Sequence, residues 1–334
     1  MRLSRRFRFC MLGALGLAML VVTAKGQEKT DGAQQTDDKS KKPQVKDKDK
    51  EAQEQEAQSE SAAQSLQKAT QNPVASLVSV PFQNNSNFGV NPGYRTQDVL
   101  NIQPVVPIGI SKDWNLLVRW IVPIVWQPVP APPPVPEIGK YGFGDMQPTF
   151  FLSPKHPGKL IWGVGPFVVI PTASSEFTGQ GKLSLGPSIV LLTQPGHWTL
   201  GVLTNNATSV AGPRGRPDVN QFLLQWFVNY NLKKGWYLSA SPTVTADWEQ
   251  TNGGRWVVPF GGGAGRIMKL GFQPVNISVK FFGNAVHPPT GPSSSSWSAQ
   301  VTIALLYPKL TKEMKQMLLE KQLKQLEQEP PPKQ

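Results

Sequence analysis

The run WNLLVRWIVPIVW (Trp114–Trp126) constrains this chain more than any other feature, because it is long, apolar and carries a single charge, Arg119. It is too short to cross a bilayer as a helix, which needs about 20 residues. Pro123 would also remove a backbone donor inside a helix and clash with the preceding turn. With a period of two, Trp114, Leu116, Val118, Trp120, Val122, Ile124 and Trp126 share one wholly apolar face, and Asn115 and Arg119 fall on the other. Strand side chains alternate in this way. The run therefore predicts a long strand whose apolar face meets either a protein core or lipid.

The pattern recurs. Phe222, Leu224, Trp226, Val228 and Tyr230 alternate with Gln221, Gln225, Asn229 and Asn231. Trp236 to Trp248 alternates with Ser239, Ser241, Thr243, Thr245 and Asp247, and Val275–Phe281 and Trp297–Tyr307 behave alike. Twelve strands are expected, at about 76–88, 97–110, 114–127, 143–153, 159–172, 182–193, 197–210, 218–231, 235–248, 255–269, 273–286 and 296–307. Short turns (SKD, SPKHPG, QPG, KKG and the turn at Gly271) alternate with longer loops between these strands. Bacterial outer-membrane barrels show this asymmetry, with short periplasmic turns and longer outer loops.

Trp spacing decides between core and lipid. Trp114 and Trp126 lie 12 residues apart on one face, as do Trp236 and Trp248. At about 3.3 Å per residue and a tilt near 45°, each pair spans roughly 28 Å along the membrane normal. An outer-membrane barrel has an apolar band about 25 Å tall with an aromatic girdle at each edge. Trp114, Trp126, Trp236, Trp248 and Trp297 are the expected girdle residues. A soluble β-sandwich also alternates, but its strands are shorter and it has no use for so many outward Trp side chains. The expected fold is all-β, a transmembrane antiparallel up-and-down barrel of about 12 strands.

The flanks read differently. Arg2, Arg5, Arg6 and Arg8 precede an apolar stretch from Phe9 to Val22, with small residues after it, so residues 1–26 are expected to be a cleaved secretory signal. The only cysteine, Cys10, falls inside it. A mature chain without disulfides must then be held by burial and hydrogen bonding. Residues 27–73 carry 8 Lys against 10 acidic residues and almost no large apolar side chains. They are expected to form a charged, disordered periplasmic linker, with a short helix allowed near 57–70. Residues 74–308 would be the barrel, and 309–334 a periplasmic tail with an irregular helical stripe that either contacts a partner or is a bare overhang. The overall charge of +12 is spread without a dense basic cluster, so a nucleic-acid partner is not expected.

Six stretches resemble a bacterial outer-membrane β-barrel family often mislabelled neuromedin U, itself similar to the family named for the meta-pathway of phenol degradation. They are QNPVASLVSVPFQNN (71–85), VLNIQPVVPIGISKDWNL (99–116), GFGDMQPTFFLSP (142–154), WGVGPFVVIPTA (162–173), DVNQFLLQWFVNYN (218–231) and VPFGGGAGRIMKLGFQPVNISV (258–279). The resemblance implies a barrel passing small organic solutes. The expected function is thus a passive outer-membrane channel or transporter for small solutes, hydrophobic or aromatic ones included, with membrane lipid and the solute as partners. A non-transporting barrel that anchors its periplasmic extensions is the alternative.

Little in the sequence suggests catalysis. His156 and His197 lie in or beside short turns, and only His287, near Ser293–Ser296, can be pressed into a barrel-lipase arrangement. No cofactor or metal motif occurs, and FGGGAG (260–265) reads as close backbone approach within a strand. APPPVP (131–136) reads as a stiff loop or partial lid. By pleat parity Arg119 and Lys280 point into the lumen near mid-strand, with Asp145, Asp247 and Asp218 closer to strand ends. Arg119 and Lys280 either bias passage toward anions or pair with lumen carboxylates as braces.

Overall fold

The computed structural model describes residues 60–90, 93–129, 138–250 and 253–308. The expected signal, the first part of the linker, the run 131–136 and the tail 309–334 lie outside them.

Sixteen strand segments build twelve barrel strands. These are β1 (Val78–Val90), β2 (Arg95–Ile102 and Val105–Gly109), β3 (Trp114–Arg119 and Val122–Val129), β4 (Ile138–Phe143 and Thr149–Pro154), β5 (Leu160–Val169) and β6 (Leu183–Thr193). They continue as β7 (Trp198–Ala211), β8 (Asn220–Asn231), β9 (Trp236–Ala240 and Thr243–Asp247), β10 (Trp256–Leu270), β11 (Gln273–Val286) and β12 (Trp297–Tyr307). Each strand pairs antiparallel with its neighbours, and β12 returns to β1 from Val78↔Tyr307 to Phe88↔Trp297, closing the barrel.

The four interrupted strands break where proline or a bend removes ladder donors. Pairing is carried across the breaks by other groups. Trp120 N donates to Pro104 O at 3.0 Å, Ile121 and Gln147 exchange bonds of 3.1 and 2.9 Å, and Gly144 N donates to Pro123 O at 2.8 Å. β4 begins at Ile138 rather than near 143. The proline run suggested a loop through 142, but residues 138–143 pair with β3, placing Tyr141 opposite Trp126.

The two faces are inverted relative to a soluble protein. Outward positions are apolar and exposed: Val106, Ile108, Leu152, Val164, Ile189, Leu191, Leu238, Val279, Phe281, Val301 and Ile303. Inward positions are buried and largely polar: Gln97, Gln127, Asn115, Ser188, Asn205, Asn229, Ser239 and Ser278. In β10 the glycines permit close packing. A Cβ at Gly265 would lie 2.4 Å from the Tyr237 ring, whose hydroxyl donates to Asn276 Oδ1 at 2.8 Å.

The short-turn half of the lumen is filled. Leu117, Phe151, Val190, Leu192, Leu203 and Phe227 cluster there with Val74, and Leu117 and Val190 are 0% exposed. Tyr237, Ile267, Ala304 and Leu306 form a second cluster with Leu77, against which Leu66, Ala69 and Ala75 pack. Val74, Leu66 and Ala69 belong to the segment before β1. Residues 60–70 are helical (α1), and α1 with the turn after it sits inside the short-turn mouth. Gln67 Nε2 donates to Trp236 O at 2.8 Å, Gln71 Nε2 to Asn231 Oδ1 at 2.8 Å, and Gln194 Nε2 to Lys68 O at 2.8 Å. Within the expected linker, residues 60–70 are thus helical, where a short helix is allowed, and residues 60–73 pack against the barrel. Their few apolar side chains are too sparse to build a core, but they suffice to fill a hole the barrel already provides.

The facing assignment is testable at adjacent residues. Val122 faces outward and Ile121 lines the lumen. Val122→Arg should lower folding stability in lipid vesicles by about 2–4 kcal/mol, the cost of Arg near the midplane of a barrel's lipid face. Ile121→Arg should cost clearly less in the same urea titration. Equal costs would overturn the assignment.

Candidate functional site

Above the filled half lies a cavity of about 990 Å³, lined by inward residues of most strands and by three loops at the long-loop end. Its polar lining is dominated by amides, among them Gln83, Gln97, Gln103, Gln127, Gln147, Gln221 and Gln225. Gln97 Nε2 donates to Gln127 Oε1, and Asn87 Nδ2 to Gln97 Oε1 at 2.8 Å. Val99, Ile121, Val125, Phe151, Phe167 and Val169 supply apolar patches between them. A second cavity of about 160 Å³ lies against the plug residues Ala69–Pro73, Ala75 and Leu77. Gln103, Arg119, Leu203 and Gln225 line both cavities and so form the waist between them. Gln103 and Arg119 come from the β2–β3 wall, and Leu203 and Gln225 from β7 and β8, half the barrel away.

The five charged residues expected in or near the lumen have separate surroundings. Arg119 stands at the waist, where its Nη2 donates to Gln103 Oε1 at 2.7 Å. Among the described residues no carboxylate lies within ion-pair distance of it. Lys280 faces inward but lines neither cavity, and its amine donates to Ser241 Oγ at 2.7 Å. Arg119 thus lines both cavities and Lys280 neither, a difference that pleat parity does not carry.

Asp145 is buried in the gap between the two segments of β4. Its carboxylate accepts from the backbone N–H groups of Ala173, Gln180 and Gly181 at 3.1, 2.5 and 3.3 Å. It thereby pins the β5–β6 loop, whose Phe177, Thr178, Gly179 and Gln180 turn into the cavity. Arg216, from the next loop, donates to the carbonyls of Gln180 and Glu176 at 3.0 and 3.1 Å, and Lys182 pairs with Asp218 at 3.1 Å. Asp247 lines the upper cavity and accepts from Glu249 N at 3.1 Å. The carboxylates thus spend their acceptors on loops rather than on Arg119 or Lys280. That loop-pinning role carried no sequence signal, because it depends on which backbone amides converge.

The five expected girdle residues occupy two rims. Trp114 and Trp236 begin their strands at the short-turn end, where Trp114 meets Trp162 edge-on at 5.8 Å. Trp126, Trp248 and Trp297 lie at the long-loop end. There Trp248 contacts Trp256 at 5.6 Å, and Trp297 stacks on Phe88 at 4.0 Å. Pairing also placed Trp162, Trp198 and Trp256 in these rims, which alternation within single strands did not single out. His287 Nδ1 lies 2.9 Å from the Pro288 carbonyl, and Ser294 Oγ donates to Gly291 O at 2.7 Å, so both brace the β11–β12 loop.

No family model matches the chain, and no curated protein matches it. Solved structures do. An outer membrane channel from Pseudomonas putida F1 aligns at 10% identity over 69% of this chain and 94% of that one, with a TM-score of 0.50. The NanC porin aligns at 10% identity over 70% and 100% of the two chains, with a TM-score of 0.43. A Salmonella typhi outer membrane phospholipase dimer with bound calcium aligns at 11% identity over 69% and 91%, with a TM-score of 0.36. At such identities the likeness is one of fold, and the fold is a closed twelve-stranded antiparallel barrel of the outer-membrane type.

The pinned loop gives a direct test. Asp145→Ala leaves three backbone N–H groups without their acceptor and should lower stability by about 1–3 kcal/mol. Chymotrypsin should then cut faster at Phe177, in the released loop, with Asp145→Asn intermediate. Unchanged cleavage rates in both variants would show that Asp145 does not hold the loop.

Proposed function

We propose that the protein is an outer-membrane channel through which small solutes pass without energy input, delivered across the inner membrane by the signal at residues 1–26. The observation that carries this reading is the amide-lined cavity, which opens among the long loops and narrows at a waist to a second cavity below. An apolar exterior between two aromatic rims supports residence in lipid, because the rims suit the two interfaces of a bilayer. The resemblance of residues 71–308 to the neuromedin U-labelled barrels is part of the same proposal. The mixed polar and apolar walls suit solutes with both kinds of surface.

A channel of this shape requires the segment around α1 to shift, because that segment fills the short-turn mouth. Its seam with the barrel is imperfectly satisfied. Gln67 Oε1, Gln71 Oε1 and Asn231 Nδ2 are buried without a protein hydrogen-bond partner among the described residues. The same filled mouth favours the second reading, a closed barrel that anchors the charged segment preceding α1.

A cross-link separates the two. The sequence has one cysteine, Cys10, inside the expected signal, so a mature Gln71→Cys/Asn231→Cys variant carries only the introduced pair. Bridging these residues with a short reducible thiol cross-linker should abolish conductance in planar bilayers, and reduction should restore it. Equal currents in both states would mean that the segment does not gate the pore. Absence of current in either state, and in the parent protein, would favour the anchoring barrel.

A further inference from the structure

We propose that the waist is a carboxylate-binding site, in which Arg119 receives the acid group of a small amphipathic organic acid whose body lies in the larger cavity. The proposal rests on the lumen being the solute path and names the class of solute that path selects. Its first support is unspent donor capacity. A guanidinium presents five N–H donors in a planar fork. One goes to Gln103 Oε1 at 2.7 Å, and no other acceptor within the described residues takes the rest. The Gln103 contact holds one corner of the fork, and Arg119 lines both cavities.

The second support is position. Arg119 borders both cavities, so an acid group reaching the waist from above meets it before anything below. The third is the state of the neighbouring charges. Asp145 accepts three backbone N–H bonds and Asp247 caps its own loop, and among the described residues neither lies within ion-pair distance of Arg119. A planar carboxylate can take two parallel N–H bonds from such a fork, which a lysine amine cannot offer. Gln225 on the facing wall adds an amide for a neighbouring hydroxyl or carbonyl. Ile121, Phe151 and Leu203 give the body of the molecule apolar contact.

The class is therefore an acid group on a short, partly apolar body. Calorimetry on the detergent-purified full chain tests it with hexanoate, its uncharged analogue hexanamide, and inorganic phosphate. Hexanoate should bind at least about tenfold more tightly than hexanamide, as expected for a charge-assisted bond in a confined site. Arg119→Gln should erase that difference, and Arg119→Lys should keep only part of it. Phosphate should bind more weakly than hexanoate, because it has no body to use the apolar wall. Equal binding of hexanoate and hexanamide to the parent protein would overturn the proposal without recourse to any variant. Phosphate binding as tight as hexanoate would overturn the organic-acid class. Selective hexanoate binding without bilayer conductance would sustain the site and refute the channel.

Discussion

Everything in this molecule depends on the ladder between β12 and β1. In hydrocarbon an unpaired backbone N–H or C=O costs several kcal/mol, so a sheet can live there only if it has no edge. Eleven consecutive residue pairs, from Val78↔Tyr307 to Phe88↔Trp297, remove that edge. Once the sheet is closed, alternation has only one consistent outcome. One set of side chains faces outward and must suit lipid, while the other faces a confined interior and must satisfy itself. The amide-rich lumen follows from this. Gln and Asn both donate and accept, so Asn87, Gln97 and Gln127 can join across strands without introducing charge.

Closure also explains how so much proline is tolerated. An open sheet can place proline on an edge, but a closed one has no such position. Here some strands break at proline, others carry it within an unbroken ladder, as at Pro166↔Pro187, and carbonyls such as Pro104 O and Pro123 O still receive donors from the next strand. The breaks in β2, β3 and β9 lie close to the waist, next to Gln103, Arg119 and Ser241. Two of the four waist residues, Gln103 and Arg119, are thus held where the sheet is interrupted, while Leu203 and Gln225 face them from unbroken strands.

Alternation, Trp spacing and loop asymmetry made the barrel legible in the sequence. These features are local, with a period of two that any single strand displays. The surroundings of the charges were not legible, because they depend on contacts distant in the chain. Asp145 meets Gln180 N across 35 residues, and Lys280 meets Ser241 across 39. At residues 60–73 composition shows a segment too polar to fold alone, with at most a short helix near 57–70, but its apolar minority, Leu66 and Ala69, needs only a ready-made hole. Nothing in the sequence of such a segment announces that a receptacle exists elsewhere in the chain.

The position of α1 has a consequence for the order of assembly. Gln67 contacts Trp236 across 169 residues, and the cluster beneath α1 includes Ile267 from β10 and Leu306 from β12. Val74, Lys68 and Gln71 already meet residues from β3 to β8, but the seat beneath α1 is complete only when β12 is in place. Closing so long a chain loop carries an entropic penalty, which the contacts with the finished wall offset. A barrel that lacks its last strand therefore offers α1 only part of its seat.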